Sequence, residues 1–287
     1  MRDAFIDELT ALAESNPQIA LIVGDLGFNV VERFAERFPD RFINAGVAEQ
    51  NMTGLAAGMA SEGYHVFTYS IANFPTFRCA EQIRNDVDHH RLPVTVVAVG
   101  GGVSYGALGY SHHAVQDYAL MRAMPNMTIA APGDPLETRA CLRWLVANPG
   151  PSYLRLGKAG EPQFHETVPA VSPGAWVRVR EGLEAQVMLS TGAALGAAIA
   201  RADDRAVYSL PLWSMASKVD QPAQLARHQA VTTFEDHLAD GGFGSWLMES
   251  VAGTETAARI LPIALSPEIC DHVASQAALN RLGGLTV

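Results

Sequence analysis

Cysteine is scarce in this 287-residue chain: Cys79, Cys141 and Cys270 are few, odd in number and scattered. That excludes a disulfide framework and reads as reduced thiols of a cytoplasmic protein. Basic residues are also few. With 20 Lys and Arg against 30 Asp and Glu, the formal net charge is −10, which argues against a nucleic-acid surface and against an anionic membrane. No stretch approaches the ~20 consecutive apolar residues of a membrane span. The opening MRDAFIDELTALAESNP carries acids where a secretory signal needs a basic head and an apolar run, so none is expected. Internal repeats and low-complexity tracts are missing too. What remains is 48% hydrophobic and 17% charged, a globular composition with ample core, long enough for one large domain or two ordinary ones.

Residues 45–60, AGVAEQNMTGLAAGMA, organise the chain. A short apolar run at 41–44 and a turn at Gly46 precede them, so the stretch reads as strand, turn, then helix, with Glu49 at the helix head. Met52, Leu55, Ala56 and Met59 fall at helical spacing and predict one buried face. Gly54 and Gly58 each cost about 1 kcal/mol of helix propensity against Ala, which implies close approach by another backbone. A carboxylate in the first turn of such a helix either caps it or does chemistry.

Around this stretch the pattern alternates. Phe5, Leu9, Leu12 and Ala13 predict a helix ending near Asn16-Pro17. The continuous apolar run 19–23 predicts a buried strand of a parallel sheet, broken by Gly24-Asp25-Leu26-Gly27. Further strands are expected at 64–69, 94–99, 127–130 and 152–156. The helices between them are expected at 30–38, at 73–88 with Asn73 as cap, from His113 to Arg122, and from Pro135 to Asn148. The last has Asp134 as cap, proline at its first position and Glu137 at its third. Residues 1–160 thus form a doubly wound α/β domain with a parallel sheet. The chain from Gly157 to Pro173 is rich in Gly and Pro and lacks periodicity, and 161–173 is assigned as linker. Residues 174–287 carry a second, smaller α/β pattern, with strands at 185–189, 206–210, 230–234 and 259–263 and helices at 192–201, 241–252 and 267–281.

The segments GVAEQNMTGLAAGMA, YSIANFPTFRCAEQIRND, GYSHHAVQDYALMRAMPNM and PSYLRLGKAGEP resemble the pyrimidine-binding domain of transketolases. TTFEDHLADGGFGS through ALSPEICDHVASQ resembles their C-terminal domain, so the similarity runs in order along essentially the whole chain. The resemblance implies thiamine diphosphate as cofactor. In that family a carboxyl group bonded to the pyrimidine N1′ favours the imino tautomer that deprotonates the thiazolium, and Glu49 matches that carboxyl. Burial suits it to share a proton, because desolvation penalises the free carboxylate.

By the same resemblance, Phe74 stacks on the aminopyrimidine, with Phe77 and Ile71 lining the pocket. Of His112 and His113, which follow a glycine-rich loop, His113 matches better the family histidine that reaches the reacting oxygen, and His112 comes second. A zinc pair is the competing idea, but two adjacent histidines without a Cys or acid ligand nearby make a poor site. Asp25 matches an acid near the thiazolium, and an Asx-type turn explains it nearly as well. Lys158, and less strongly Arg84, fall where the substrate phosphate would be bound.

Two departures qualify the match. Leu108-Gly109-Tyr110 stands where full-length relatives carry an acceptor-binding acid. The Gly-Asp-Gly motif that begins the Mg²⁺ and diphosphate site is not found: Gly24-Asp25 is followed by Leu26, and Gly133-Asp134 by Pro135. The reading is therefore the C-terminal subunit of a split transketolase, transferring a two-carbon ketol unit from a ketose phosphate to an aldose. It expects a separate diphosphate-binding partner that holds Mg²⁺, in an α2β2 heterotetramer. The alternatives are the beta subunit of a 2-oxo acid dehydrogenase, a deoxy-sugar-phosphate synthase, and a non-catalytic scaffold subunit.

Overall fold

Every residue of the apolar run Ile19–Val23 (β1) is buried, as in a strand covered on both faces. In the computed structural model, which describes residues 1–286, β1 lies inside a 7-stranded sheet. Phe42–Asn44 (β2), His65–Ile71 (β3), Val94–Val99 (β4), Thr128–Ala130 (β5) and Ser152–Leu156 (β6) join it in parallel. Leu212–Ser214 (β10) closes one edge antiparallel to β5, giving the order β10-β5-β6-β4-β3-β1-β2. The chain winds outward from β1 to β2, then returns to β3 and continues the other way to β4. That reversal is a topological switch point, and such sheets open a crevice at the strand carboxyl ends there.

The second sheet has 5 strands, Val177–Arg180 (β7), Leu183–Ser190 (β8), Arg205–Ser209 (β9), Ala230–Leu238 (β11) and Arg259–Leu265 (β12), ordered β12-β11-β8-β9-β7 with only β7 antiparallel. The two sheets share packing. Trp213 on β10 lies 5.2 Å from Trp246 and 5.3 Å from Tyr118, ring centre to ring centre. Each indole is satisfied: Trp213 Nε1 donates to Thr191 Oγ1 and Trp246 Nε1 to the Ser214 carbonyl. No helix among the described residues is long and apolar enough to cross a membrane.

Several elements differ from the sequence expectation, each for a local reason. The Glu49–Ser61 helix buries Met52, Thr53, Ala56, Ala57 and Ala60, while Leu55 faces outward at 38% exposure. Gly54 and Gly58 share that outward face, with nothing of this chain within 4 Å of where a Cβ would be. The close approach expected there is not made within the chain. The helix expected at 73–88 is broken into Asn73–Phe77, Ala80–Gln82 and a π-type segment Ile83–Asp88. Asn73 is not its cap, because its amide is spent on the carbonyls of Ser111 and His113. The helix expected at 267–281 divides into a 3-10 turn, Pro267–Asp271, and a separate helix, Gln276–Leu282, capped by Ser275. β7 and β10 are not among the expected strands: Val177–Arg180 alternates apolar and basic residues but spans only four positions, and Leu212–Ser214 only three.

The Pro135–Ala147 helix starts as its sequence dictates: the Asp134 carboxylate accepts from the Glu137 amide at 2.7 Å. The segment after β6 is fastened to the same point. Asp134 also accepts from the amides of Phe164 and His165 and from the His165 ring at 3.0 Å. Glu137 is wholly buried beside it, accepting from the Gly133 amide and the Ser209 hydroxyl. Burial opposes the Asp134 charge, but the bonds from His165, Glu137 and Phe164 outweigh it and hold the carboxyl at about 2. Burial pushes Glu137 from 4.5 to about 7. His165 is raised, its bond to Asp134 and the charges of Glu137 and Asp134 overcoming desolvation.

These shifts fix the sign of a pH effect. A carboxyl held above its unfolded value contributes stability that is complete below about 4.5 and lost as pH climbs through about 7. A raised histidine acts in the same direction, whereas Asp134 loses its contribution only when pH falls through the range from 3.8 to about 2. Denaturant midpoints should therefore decline between about pH 5 and 8, with Glu137 accounting for on the order of 3 kcal/mol of the change. Glu137→Gln should show a shallower decline; parallel curves for the two proteins would mean that Glu137 is already ionised in the fold.

Candidate active site at the switch point

The turns after β1, β2 and β3 meet at the switch point, and each delivers candidate residues. After β2, Gly46 turns with φ +72° and the chain enters the Glu49 helix, so Glu49 stands in the first turn. Its carboxylate is 4% exposed and lines a pocket of ≈ 420 Å³ with Val47, Gln50, Asn51 and Arg78. After β3, Phe74 and Phe77 line a second pocket of ≈ 460 Å³ together with Asn73, Arg78, Tyr110 and His113. Arg78 belongs to both, so the two pockets adjoin.

Arg78 is the residue that sequence reasoning missed. Its Nη1 donates to both Glu49 oxygens, at 3.2 and 3.1 Å, while its guanidinium lies 4.3 Å over the Phe74 ring. A flat N–H-bearing cation is thus already held between an aromatic face and the Glu49 carboxylate. The available signal was the i, i+4 spacing of Phe74 and Arg78, which puts both on one face of a helix.

His113 lines the Phe74 pocket as a fully buried imidazole. Burial pushes its pKa below the usual histidine value, so it is neutral near pH 7. Its Nε2 has one long contact, 3.4 Å to the Gly106 carbonyl, and its Nδ1 has no partner. His112 is half-buried with its ring edge-on to Phe74 at 5.3 Å, and Ser111 Oγ is bonded to its Nδ1. Gln116 and Tyr110, also unread from sequence, close the pocket through a 2.9 Å hydrogen bond.

The other expected residues are distributed differently. Ile71 ends β3, half-buried, and Phe77 lines the Phe74 pocket at 46% exposure. Asp25 sits at the carboxyl end of β1 with φ +54°, exposed, exchanging hydrogen bonds with the Asn44 side chain. Lys158 lies apart from Phe74, lining a third pocket of ≈ 460 Å³ with Ser104, Tyr105, Ser275 and Gln276. Tyr105 stands between, 5.0 Å from the Lys158 ammonium and 6.3 Å from the His112 ring. Arg84 is not brought to this region: it lines a small cleft with Asp88, His89 and Asn126. Among the described residues no group of three or more His, Cys, Asp or Glu side chains is placed to hold a metal ion.

Fold and cleft describe a doubly wound ligand-binding domain with a buried carboxylate and an aromatic ring at its switch point. Residues 1–161 match the family described as transketolase, pyrimidine binding domain, and the chain belongs to the transketolase family. A chain named as a transketolase C-terminal section in Methanocaldococcus jannaschii is 32% identical over 276 residues, covering 93% of this chain and 86% of that one. A 1-deoxy-D-xylulose-5-phosphate synthase of Syntrophotalea carbinolica is 31% identical over 97% of this chain, which spans only 45% of the synthase. Among solved structures, a split-gene transketolase described as an inactive β4 tetramer aligns with a TM-score of 0.85 at 29% identity, covering 99% of this chain and 93% of that one.

The two bonds from Asn73 are what tie the His113 loop to the Phe74 helix. Asn73→Ala should cost about 1–2 kcal/mol locally and speed amide exchange at 111–116 roughly tenfold. Hydrogen-exchange mass spectrometry checks this, and unchanged protection of that segment would show that the loop is held elsewhere.

Proposed function

We propose that this chain is the C-terminal subunit of a two-component transketolase, which transfers a two-carbon ketol unit from a ketose phosphate to an aldose. The observation that carries the reading is the Glu49–Arg78–Phe74 arrangement. What supports the fit to an aminopyrimidine is that a planar N–H donor, the Arg78 guanidinium, rests on the Phe74 ring while it bonds Glu49. Thiamine diphosphate, when bound, would supply the carbanion-stabilising chemistry.

This chain's own residues have narrower tasks. Phe74 would hold the flat ring against its face, with Phe77 and Ile71 at the pocket wall. Glu49 would share a proton with the pyrimidine N1′, its near-complete burial keeping water from competing. His113, neutral and with Nδ1 free, can accept or return a proton at a substrate hydroxyl facing the Phe74 pocket. His112 backs the same wall. Lys158 binds the substrate phosphate from the neighbouring pocket, and Asp25 supplies negative charge toward the thiazolium. Arg84 has no part in this assignment, since its cleft lies elsewhere.

A partner subunit would hold the diphosphate and Mg²⁺, in an α2β2 assembly of the cytoplasm. Val47 at 74% exposure lines the Glu49 pocket and Phe77 at 46% the Phe74 pocket, with Leu55 at 38% further along the Glu49 helix, apolar area that a partner would cover. The outward Gly54 and Gly58 would let another chain's backbone come close. The solved split-gene relative is described as inactive as a β4 tetramer, which accords with a need for the second component.

Calorimetry with thiamine diphosphate and Mg²⁺ tests this directly. The chain alone should bind weakly or not at all, and addition of the diphosphate-binding subunit should give tight binding with ketol-transfer activity. Glu49→Gln in that complex should lower turnover by at least about 10³-fold. Tight metal-dependent binding by the chain alone would overturn the divided site. A second reading, a deoxy-sugar-phosphate synthase, has the support of the Syntrophotalea relative matched over 97% of this chain. Formation of a deoxy-sugar phosphate from pyruvate by the same complex would decide for it, whereas decarboxylation of pyruvate without that product would point to the 2-oxo acid dehydrogenase alternative.

A further inference from the structure

The imidazole of His113 is poorly held by its own bonds. One nitrogen has no partner and the other makes a single contact at 3.4 Å, although the ring is fully buried. Its own hydrogen bonds thus do little to orient it, and beyond the side chains packed on it what is tied is the backbone on either side. On the N-terminal side Asn73 binds the Ser111 carbonyl at 3.1 Å, and it also binds the carbonyl of His113 itself at 2.8 Å. On the other, the Ala114 carbonyl accepts from Arg155 Nη2 at 2.7 Å and from the Gly102 amide at 2.9 Å.

Arg155 is itself fixed by the second sheet. It projects from β6 at 3% exposure; Nη1 donates to Asp236 Oδ1 at 2.5 Å and Nη2 to the Asp236 carbonyl at 3.1 Å. Nε donates to Asp117 Oδ2 at 2.7 Å, and the guanidinium lies 4.4 Å over the Tyr118 ring. Asp236 belongs to β11, and among the described residues its other oxygen has no partner and Arg155 is its one side-chain anchor. The glycine turn that opens the His113 loop is pressed onto this pair. A Cβ at Gly101 would lie 2.6 Å from the Arg155 guanidinium, and one at Gly102 would lie 2.4 Å from Asp236 Oδ2.

A planar fork can bind several acceptors in fixed directions, which an ammonium cannot do. Here three of those acceptors are Asp117, Asp236 and the carbonyl next to His113. We propose that Arg155, held by Asp236, is a positioning residue for His113, through which the second α/β layer sets the imidazole in the first. This goes beyond the proposed function but rests on it for the task of His113. It assigns to β11 a part in the site that neither its sequence nor its distance from the cleft indicates.

The test reads the imidazole itself, in the full chain and without substrate. The rate of carbethoxylation of each histidine by diethyl pyrocarbonate is followed by mass spectrometry in the unaltered protein and in Asp236→Asn. His89 and His90, both exposed, serve as references. Asp236→Asn should stay folded by circular dichroism and raise the His113 rate about tenfold over those references, as the loop opens more often. A folded variant with His113 as slow as before overturns the proposal. If Asp236→Asn does not fold, Arg155→Lys keeps a cation between the carboxylates but loses the fork to Ala114, and the same acceleration is expected. Collapse of both variants also overturns it, since the pair would then be holding the two layers together rather than placing His113. Failure of the catalytic reading shows separately: His113→Asn in the reconstituted enzyme would keep full turnover whatever the carbethoxylation rates.

Discussion

A guanidinium taken fully out of water has to be met by acceptors on every side, and the folding of this chain is arranged around meeting Arg155. Its two carboxylate partners come from different layers, Asp117 from the helix after the His113 loop and Asp236 from β11. Tyr153 adds a 2.5 Å bond to Asp117. Removing one partner of such a group costs about 3–5 kcal/mol, because the other charge is left buried and unpaired. The neighbouring titratable groups are kept from adding charge. Burial pushes Glu235 up to about 8, where it stays protonated near neutral pH while capping the Phe243–Ser250 helix. Burial likewise brings His237 down to about 4, so its ring is neutral. The consequence reaches the backbone: only glycine fits at 101 and 102 against this cluster.

The candidate site inherits that rigidity. Glu49, Phe74 and His113 come from three separate crossovers, and nothing in sequence order brings them together. The reversal of winding between β1 and β3 does so, by aiming the β2, β3 and β4 connections at one crevice. Each residue is then held by a neighbour rather than by its own packing. Arg78 bridges Glu49 and Phe74, and Asn73 with Arg155 clamps the backbone around His113. Such supporting groups keep the geometry of a site within the tolerances that chemistry needs.

Much of this frame was legible in the residues. The buried run of β1, the Asp134-Pro135 helix start and the strand-turn-helix around Glu49 are local signals, set by hydrophobic period and cap chemistry, and they appear where expected. The resemblance that named Glu49, Phe74 and His113 also led to residues that the fold places around one pair of adjoining pockets. What could not be read depends on distance along the chain. Asn73 looked like a helix cap because a cap needs only a short polar side chain, but its amide serves carbonyls about forty residues on. Leu55 fits a helical stripe on spacing alone, yet the packed side of that helix is centred on Met52 and Ala56. Lys158 and Arg84 share a charge but not a location, and no local pattern reports which pocket a long basic side chain lines.

The same distinction bears on what lies outside this chain. Inside it, polar groups near the cleft are tied by bonds that close on other elements of the fold. On the outer side of the Glu49 helix the pattern reverses: Gly54 and Gly58 have none of the described residues within 4 Å of where a Cβ would be, and Leu55 next to Gly54 is 38% exposed. Glycines in a helix interior cost about 1 kcal/mol each, and an exposed leucine gains nothing from water. A face with both features, on the helix that carries a buried carboxylate at its head, makes physical sense when another surface covers it. Covering that face would also shut bulk water out of the Glu49 pocket, strengthening every electrostatic interaction there. Docking and chemistry would then be coupled through a single helix, with Glu49 at its head and the docking face along its side.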